Sequence, residues 1–411
     1  MAATFGVSIL LGRLIGPSGL GIISLVNQII TILLVISILG MNSVVLKETA
    51  IAFERKDWQH VSDTVMTAIS LNLPIGFIMT LMLIFITPWL SLNIFEEIDL
   101  KWPLIIALIA VVPQILSRIL ASSINGFRKI WQSNLVNETL SSIIVFCFLI
   151  LIVISGYRIS VILVSIVYSL SRVIVSIVMW IYWKKIFQFR LKPKLLIKEK
   201  LKISLPLFLV SSTNLVLNSA DLLMLGWLSS SEEVGFYSVA VRLALVTSIF
   251  HTLSTSTITP KVASLFDQNK ILELQMMVQK VTGALSLISL LSCFSFFIFG
   301  EFILTFWGEG FQKAFWPLII LSIGQFFNIS TGATGVILIM CGQEKVAGFV
   351  SSVSVIINLT LNLVLIPFFG AIGAAITSMI VLIISNLLKT YLVYTKVGIR
   401  TFDLSSILRF K

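Results

Sequence analysis

Apolar runs alternate with short polar breaks along the whole chain, near residues 1–14, 20–40, 64–90, 102–124, 132–155, 159–183, 203–228, 235–259, 281–307, 314–340, 346–368 and 371–395. Most reach or approach the roughly 20 residues that a helix needs to cross a bilayer. Backbone in hydrocarbon must satisfy its own N–H and C=O groups, so the pattern predicts an all-α integral membrane protein with about twelve transmembrane helices. The first run is short, with only twelve residues before Arg13. Either this helix begins further upstream or it is abbreviated, and with no basic leader it does not read as a cleavable signal peptide.

Charge orients the pattern. With a cytoplasmic N-terminus, the inner loops and tail carry 22 of the 29 Lys and Arg residues. The outer loops carry Arg13, Lys101, Arg158 and Lys313, and the spans carry Arg118, Arg172 and Arg242. That asymmetry predicts that both termini are cytoplasmic, and it reads the net charge of +11 as attraction to an anionic leaflet. All nine tryptophans fall near span ends, at headgroup depth. A chain that is 57% hydrophobic and 11% charged leaves no folded soluble domain, which argues against nucleic-acid binding. Cys147, Cys293 and Cys341 are too dispersed for a metal or redox site.

The most basic break, residues 184–202, divides six runs from six. It predicts an N-terminal bundle over 1–183, a basic cytoplasmic linker over 184–202, a C-terminal bundle over 203–395 and a short basic tail over 396–411. At an offset of 214, Leu11-Gly12 aligns with Leu225-Gly226, Gly21 with Gly235, Ser24 with Ser238 and Lys47 with Lys261. Six runs per half make the repeat parallel, giving two pseudo-symmetric six-helix bundles around a central cavity.

Ionisable and amide side chains within the runs are the candidates for function. Asp221 and Arg242 flank the turn expected at 229–234 by about seven residues each, so they lie at matching depth on antiparallel helices. A buried pair that only offsets its own desolvation and a cavity-facing Arg242 oriented by Asp221 both fit this spacing. Asn214, Asn218 and Asp221 form one helical stripe that is expected to face the cavity. Arg172 lies near mid-membrane and requires the cavity or a polar partner. Arg118 pairs or snorkels, with Glu138 at similar depth, and Arg13 stands at the outer rim, where capping of a helix end explains it equally. Gln325 with Asn328 and Asn358 with Asn362 also share helix faces. Pro74 and Pro113 are candidate hinges. The outer acids Glu96, Glu97, Asp99, Glu232 and Glu233 read as solvated charges. The sequence contains no phosphate loop, zinc-protease helix or nucleophile elbow, so neither cofactor nor metal is expected and a transporter fits better than an enzyme.

The turn Leu11-Gly12-Arg13-Leu14-Ile15-Gly16-Pro17-Ser18-Gly19-Leu20-Gly21, the segments Asn218–Gly226 and Glu233–Arg242, and Asn358–Ala375 resemble the polysaccharide transporter family. These are the Wzx-type O-antigen and capsule repeat-unit flippases of the multidrug/oligosaccharidyl-lipid/polysaccharide exporter superfamily. The resemblance implies a MATE-like fold in a bacterial cytoplasmic membrane. It also implies transfer of a polyprenyl-pyrophosphate-linked oligosaccharide from inner to outer leaflet by alternating access, with polymerase and chain-length proteins of the pathway as partners. Arg13, Asp221 and Arg242 match positions of that family's pattern, with Arg242 the implied contributor to the cavity. Asp221 is in addition a candidate proton or sodium site. The alternatives are a cation-coupled multidrug exporter of the same superfamily and a membrane glycosyltransferase or polymerase. The basic lean of the deep charges and the short outer loops count against both.

Overall fold

A computed structural model describes residues 2–189 and 191–401, without the side chains of Ala2 and Glu138. The predicted tail is thus described only as far as residue 401. Among the described residues nine helices are long and apolar enough to span a bilayer, and a bent pair makes a tenth span. Two of the nine break at a glycine held in the left-handed region, α1 (Ala2–Ile38) at Gly16 and α14 (Glu344–Val397) at Gly370. Dividing both there brings the count to the twelve rods that the apolar runs predict. Large apolar side chains lie outward along them, Phe85 at 81% and Phe368 at 79% exposure. In water such a surface would drive association, whereas in acyl chains it has no such cost. The protein is a multi-pass membrane protein.

The chain forms two compact units, Met1–Ser219 and Ala220–Lys411. In the first unit, α5 (Val111–Gly126) packs on α2 (Met41–Arg55), α3 (Trp58–Trp89) and α8 (Val161–Ile186). There α4 (Lys101–Ile109) and α7 (Leu140–Ile154) also lie against α8. In the second unit, α12 (Phe315–Ser330) packs on α10 (Ser231–Asp267), α11 (Ile271–Leu304) and α14. The division falls inside α9 (Ile197–Leu228), and the basic segment 184–202 lies in the first unit.

Hydrogen bonds explain why that segment stays with the first unit. Gln59, Asp63 and Thr67 recur every fourth residue along one face of α3. Gln59 donates to the Lys192 carbonyl at 2.8 Å, Asp63 accepts from the Lys194 N–H at 2.8 Å, and Thr67 accepts from the Leu196 N–H at 3.1 Å. The segment is therefore a strap along α3. Lys200 beyond it is 1% exposed and lies 3.2 Å from Glu48 on α2, which also meets His60 Nε2 at 2.5 Å. One of the expected surface lysines is thus interior. Burial pushes the Glu48 carboxyl up, but hydrogen bonds and charge from His60 and Lys200 outweigh it and hold the group below its ordinary range. Gly40 at φ 73° lets the start of α9 close in, because a Cβ there would lie within 3 Å of the Ser204 carbonyl and the Phe208 nitrogen.

The two proline positions behave differently. Pro113 removes the N–H that would bond the Ile109 carbonyl, and α4 and α5 are bent by 46° at that break. Pro74 lies within α3, which runs unbroken from Trp58 to Trp89, so it does not divide its span.

Candidate functional site

Two of the candidate site residues, Asp221 and Arg172, each stand in a polar group, one within each unit. In the second unit Asp221 is 7% exposed and both its oxygens are occupied. Oδ1 accepts from Asn358 Nδ2 at 2.8 Å and Asn362 Nδ2 at 2.7 Å. Oδ2 accepts from the Tyr237 hydroxyl at 2.8 Å and from the Ser378 hydroxyl. Four bonds match the acceptor capacity of a carboxylate. Their donors come from α10 and from both rods of α14, so one buried charge ties three chain segments to α9. Asn362 Oδ1 lies in the same group, buried and without a hydrogen-bond partner.

The bend at Gly370 makes this convergence possible. Asn358 and Asn362 precede it and Ser378 follows it. Glu233 holds it, accepting from the Ala371 N–H at 2.8 Å. A carboxylate on the first free N–H groups of a rod is a favourable cap. Gly370 is at φ 54°, and a Cβ there would lie 2.7 Å from that carboxylate. Glu233 is therefore a structural acid and not the solvated loop charge that its sequence position suggests. Glu232 beside it is exposed and meets Lys313 at 3.3 Å.

The expected depth match of Asp221 and Arg242 is corrected. Helix α9 ends at Leu228 and α10 begins at Ser231, so the turn is two residues long instead of six. Counting equal distances from this shorter turn leads from Asp221 to Ser238, beside Tyr237, and Arg242 lies about 6 Å further along the helix at 1.5 Å per residue. Arg242 is half-buried on α10. Along the expected stripe, Asn214 and Asn218 are exposed and Asp221 is buried. Asn218 donates to the Asn214 carbonyl at 2.7 Å. A separate polar string runs from Ser248 to Gln325 at 2.8 Å, on to Asn328 at 3.1 Å and to Asn386 at 3.0 Å.

In the first unit Arg172 has a polar partner: its Nη2 donates to Asn27 Oδ1 at 2.6 Å, and its guanidinium carbon lies 5.7 Å from the Tyr168 ring centroid. The neighbouring Gln28 donates to the Ser219 hydroxyl. A neutral amide orients the guanidinium without cancelling its charge, and Arg118 is near enough to act on it electrostatically. Arg13 is exposed shortly before the Gly16 break, and the Glu138 side chain lies outside the described residues. Tyr237 and Ser378 are the site residues that sequence reasoning misses. Tyr237 becomes visible once the turn is known to be short, whereas Ser378 carries no signal, since only the bend brings it to Asp221.

Known proteins share this arrangement of helices. The lipid II flippase MurJ, in an inward closed conformation, superposes with a TM-score of 0.79 at 16% identity, over 99% of this chain and 86% of that one. An inward-facing multidrug resistance MATE transporter of the MOP superfamily gives 0.79 at 14% identity, over 96% and 94%. In sequence, the chain is 25% identical over 181 residues to the "Probable low-salt glycan biosynthesis flippase" of Haloferax volcanii. That match spans 44% of this chain and 38% of the relative. Residues 1–266 match the model of the family described as polysaccharide biosynthesis protein, and the chain belongs to that family, on the fold of MOP transporters.

Proposed function

We propose that the chain is a flippase and not an enzyme. It moves a polyprenyl-pyrophosphate-linked oligosaccharide from the inner to the outer leaflet of the bacterial cytoplasmic membrane by alternating access, in O-antigen, capsule or exopolysaccharide synthesis. Both termini are on the cytoplasmic side, as the basic loops favour. Pathway polymerase and chain-length proteins receive the product. The family membership and the glycan flippase relative support the substrate class.

The observation that carries this reading is Arg172, a guanidinium on an apolar span held by the neutral Asn27 at 2.6 Å. A pyrophosphate cannot enter hydrocarbon unaided, and a cation that keeps its charge lowers that barrier. Arg242 serves likewise within the second unit, Asn214 and Asn218 offer amides to sugar hydroxyls, and Arg13 guides the headgroup at the rim. The halves 1–183 and 203–395 act as repeats, each returning to the same membrane side.

Asp221 is the ion-coupling residue of this scheme. Its carboxylate, the orphan Asn362 Oδ1 and the Ser378 and Tyr237 hydroxyls form an oxygen-rich buried group that suits a proton or a sodium ion. In proteoliposomes with a labelled lipid-linked oligosaccharide, Arg242→Ala is expected to slow translocation at least ten-fold while the protein stays folded. Asp221→Asn is expected to remove the acceleration produced by an imposed sodium or proton gradient. Unchanged translocation in Arg242→Ala removes the proposed anchor, and an unchanged gradient response in Asp221→Asn removes the coupling role.

A further inference from the structure

A cavity of about 610 Å³ lies under the strap in the first unit, away from both polar groups. Its floor is aromatic. Trp180 stacks on Trp183 with centroids 6.1 Å apart, and Trp183 on Phe187 at 4.9 Å. Trp183 is fixed from behind by its Nε1–H bond to the Ser123 hydroxyl at 3.1 Å. The outer wall is the strap itself, with Phe189 stacked on Trp58 at 4.8 Å and the chain pinned to α3 by Gln59, Asp63 and Thr67. The cavity is therefore built by fixed parts.

The rim is basic. Lys184 lines the cavity with its Nζ 4.8 Å from the Trp180 ring centroid. Lys185 follows it in the last turn of α8, and Lys192 and Lys194 are exposed on the strap. Among the described residues no acidic side chain lines the cavity. The nearby Asp63 is occupied by Gln59 at 2.7 Å and by the Lys194 N–H. The C-terminal end of a membrane-spanning helix, marked by tryptophan and followed by lysines, lies at headgroup depth.

We propose that this cavity is a binding site for an anionic glycerophospholipid. The headgroup phosphate meets Lys184 and the strap lysines, and one acyl chain lies on the Trp180, Trp183 and Phe187 rings. An aromatic floor beside Lys184, with further lysines exposed on the adjoining strap, complements an acidic lipid and disfavours a zwitterionic one in the interfacial layer, and basic pockets between transmembrane helices are known to take such headgroups. The bound lipid would lock the strap to α8 and α3, and so set the stiffness of the segment that leads into α9.

The test uses the purified full chain in nanodiscs or detergent, with phosphatidylglycerol and phosphatidylcholine of identical acyl chains as probes. Native mass spectrometry is expected to show retained phosphatidylglycerol in preference to phosphatidylcholine. Lys184→Gln should weaken retention about five-fold, the effect of one lysine beside an anionic headgroup. Lys56→Gln removes an exposed charge that does not line the cavity and should leave retention unchanged, and Met66→Trp fills the cavity with all charges intact and should abolish it. In the unaltered protein, brominated phosphatidylglycerol should quench tryptophan emission more than brominated phosphatidylcholine. Equal retention or quenching by the two lipids, equal losses in Lys184→Gln and Lys56→Gln, or full retention by folded Met66→Trp each overturn the proposal. Displacement of phosphatidylglycerol by polyprenyl phosphate at equal concentration also overturns it, because the cavity would then be a substrate site.

Discussion

Replacing Asp221 with alanine removes the acceptor of four buried hydrogen bonds in one step. Such bonds in membrane bundles contribute about 0.6 kcal/mol on average and up to about 1.7 each, so the gross loss is roughly 2–7 kcal/mol. Part of it returns, because Tyr237 and Ser378 already lie 3.1 Å apart and Asn362 already reaches Asn358 Oδ1 at 3.2 Å. The net expectation is about 2–4 kcal/mol. Asp221→Asn retains one acceptor for the two amides, and the two hydroxyls can rotate to accept from the new amide, so its cost should stay near 1 kcal/mol. Unfolding by dodecyl sulfate titration, followed by circular dichroism, measures both. Wild-type stability in Asp221→Ala, or an equal loss in the two variants, would refute the idea that this carboxylate clamps α9, α10 and the two rods of α14 together.

Four further outcomes follow from the same structure. Gly370→Ala should cost roughly 1–2 kcal/mol, because the left-handed conformation is unfavourable for alanine and the new Cβ meets Glu233. Glu233→Ala should cost about 1 kcal/mol as a lost cap. Both are measurable in the same titration. Glu48→Gln probes the α2–α9 contact through pH. A carboxyl held below its ordinary range by His60 and Lys200 contributes stability that is present above that range and lost as pH falls through the lowered value. The stability gap between wild type and Glu48→Gln should therefore persist at neutral pH and close only as pH falls through the lowered value, and a gap that widens on acidification contradicts the assignment. Cutting the strap loose with a Gln59→Ala and Thr67→Val pair should speed proteolysis near residues 190–196 without altering the helix content.

The spans were legible because hydrophobic length and charge placement are direct records of membrane immersion. The i, i+4 spacing of Asn358 and Asn362 likewise identified two side chains that share a target. What the pattern concealed was local geometry. A two-residue turn and a six-residue turn look alike when both ends of a loop are polar, and that difference moved the residue at the depth of Asp221 from Arg242 to Ser238, beside Tyr237. The break between the runs that end at 368 and begin at 371 reads as an ordinary loop, yet the bend at Gly370 within it places Ser378 against Asp221 and gives Glu233 a structural function. The linker's lysines reported net charge faithfully, but composition does not tell that Lys200 turns inward to Glu48 or that alternate backbone groups bond to α3.

The claim at the centre of this account is that a guanidinium oriented by a neutral partner that does not cancel its charge carries an anionic headgroup past the hydrocarbon. The most direct measurement is the rate at which a fluorescent polyprenyl-pyrophosphate-linked oligosaccharide becomes accessible to an external quencher in proteoliposomes, for wild type and Arg172→Ala matched for folding. The account predicts rapid exposure with wild type and at least a ten-fold slower rate with the variant. Equal rates, or a wild type that leaves the glycan lipid in place, would contradict it.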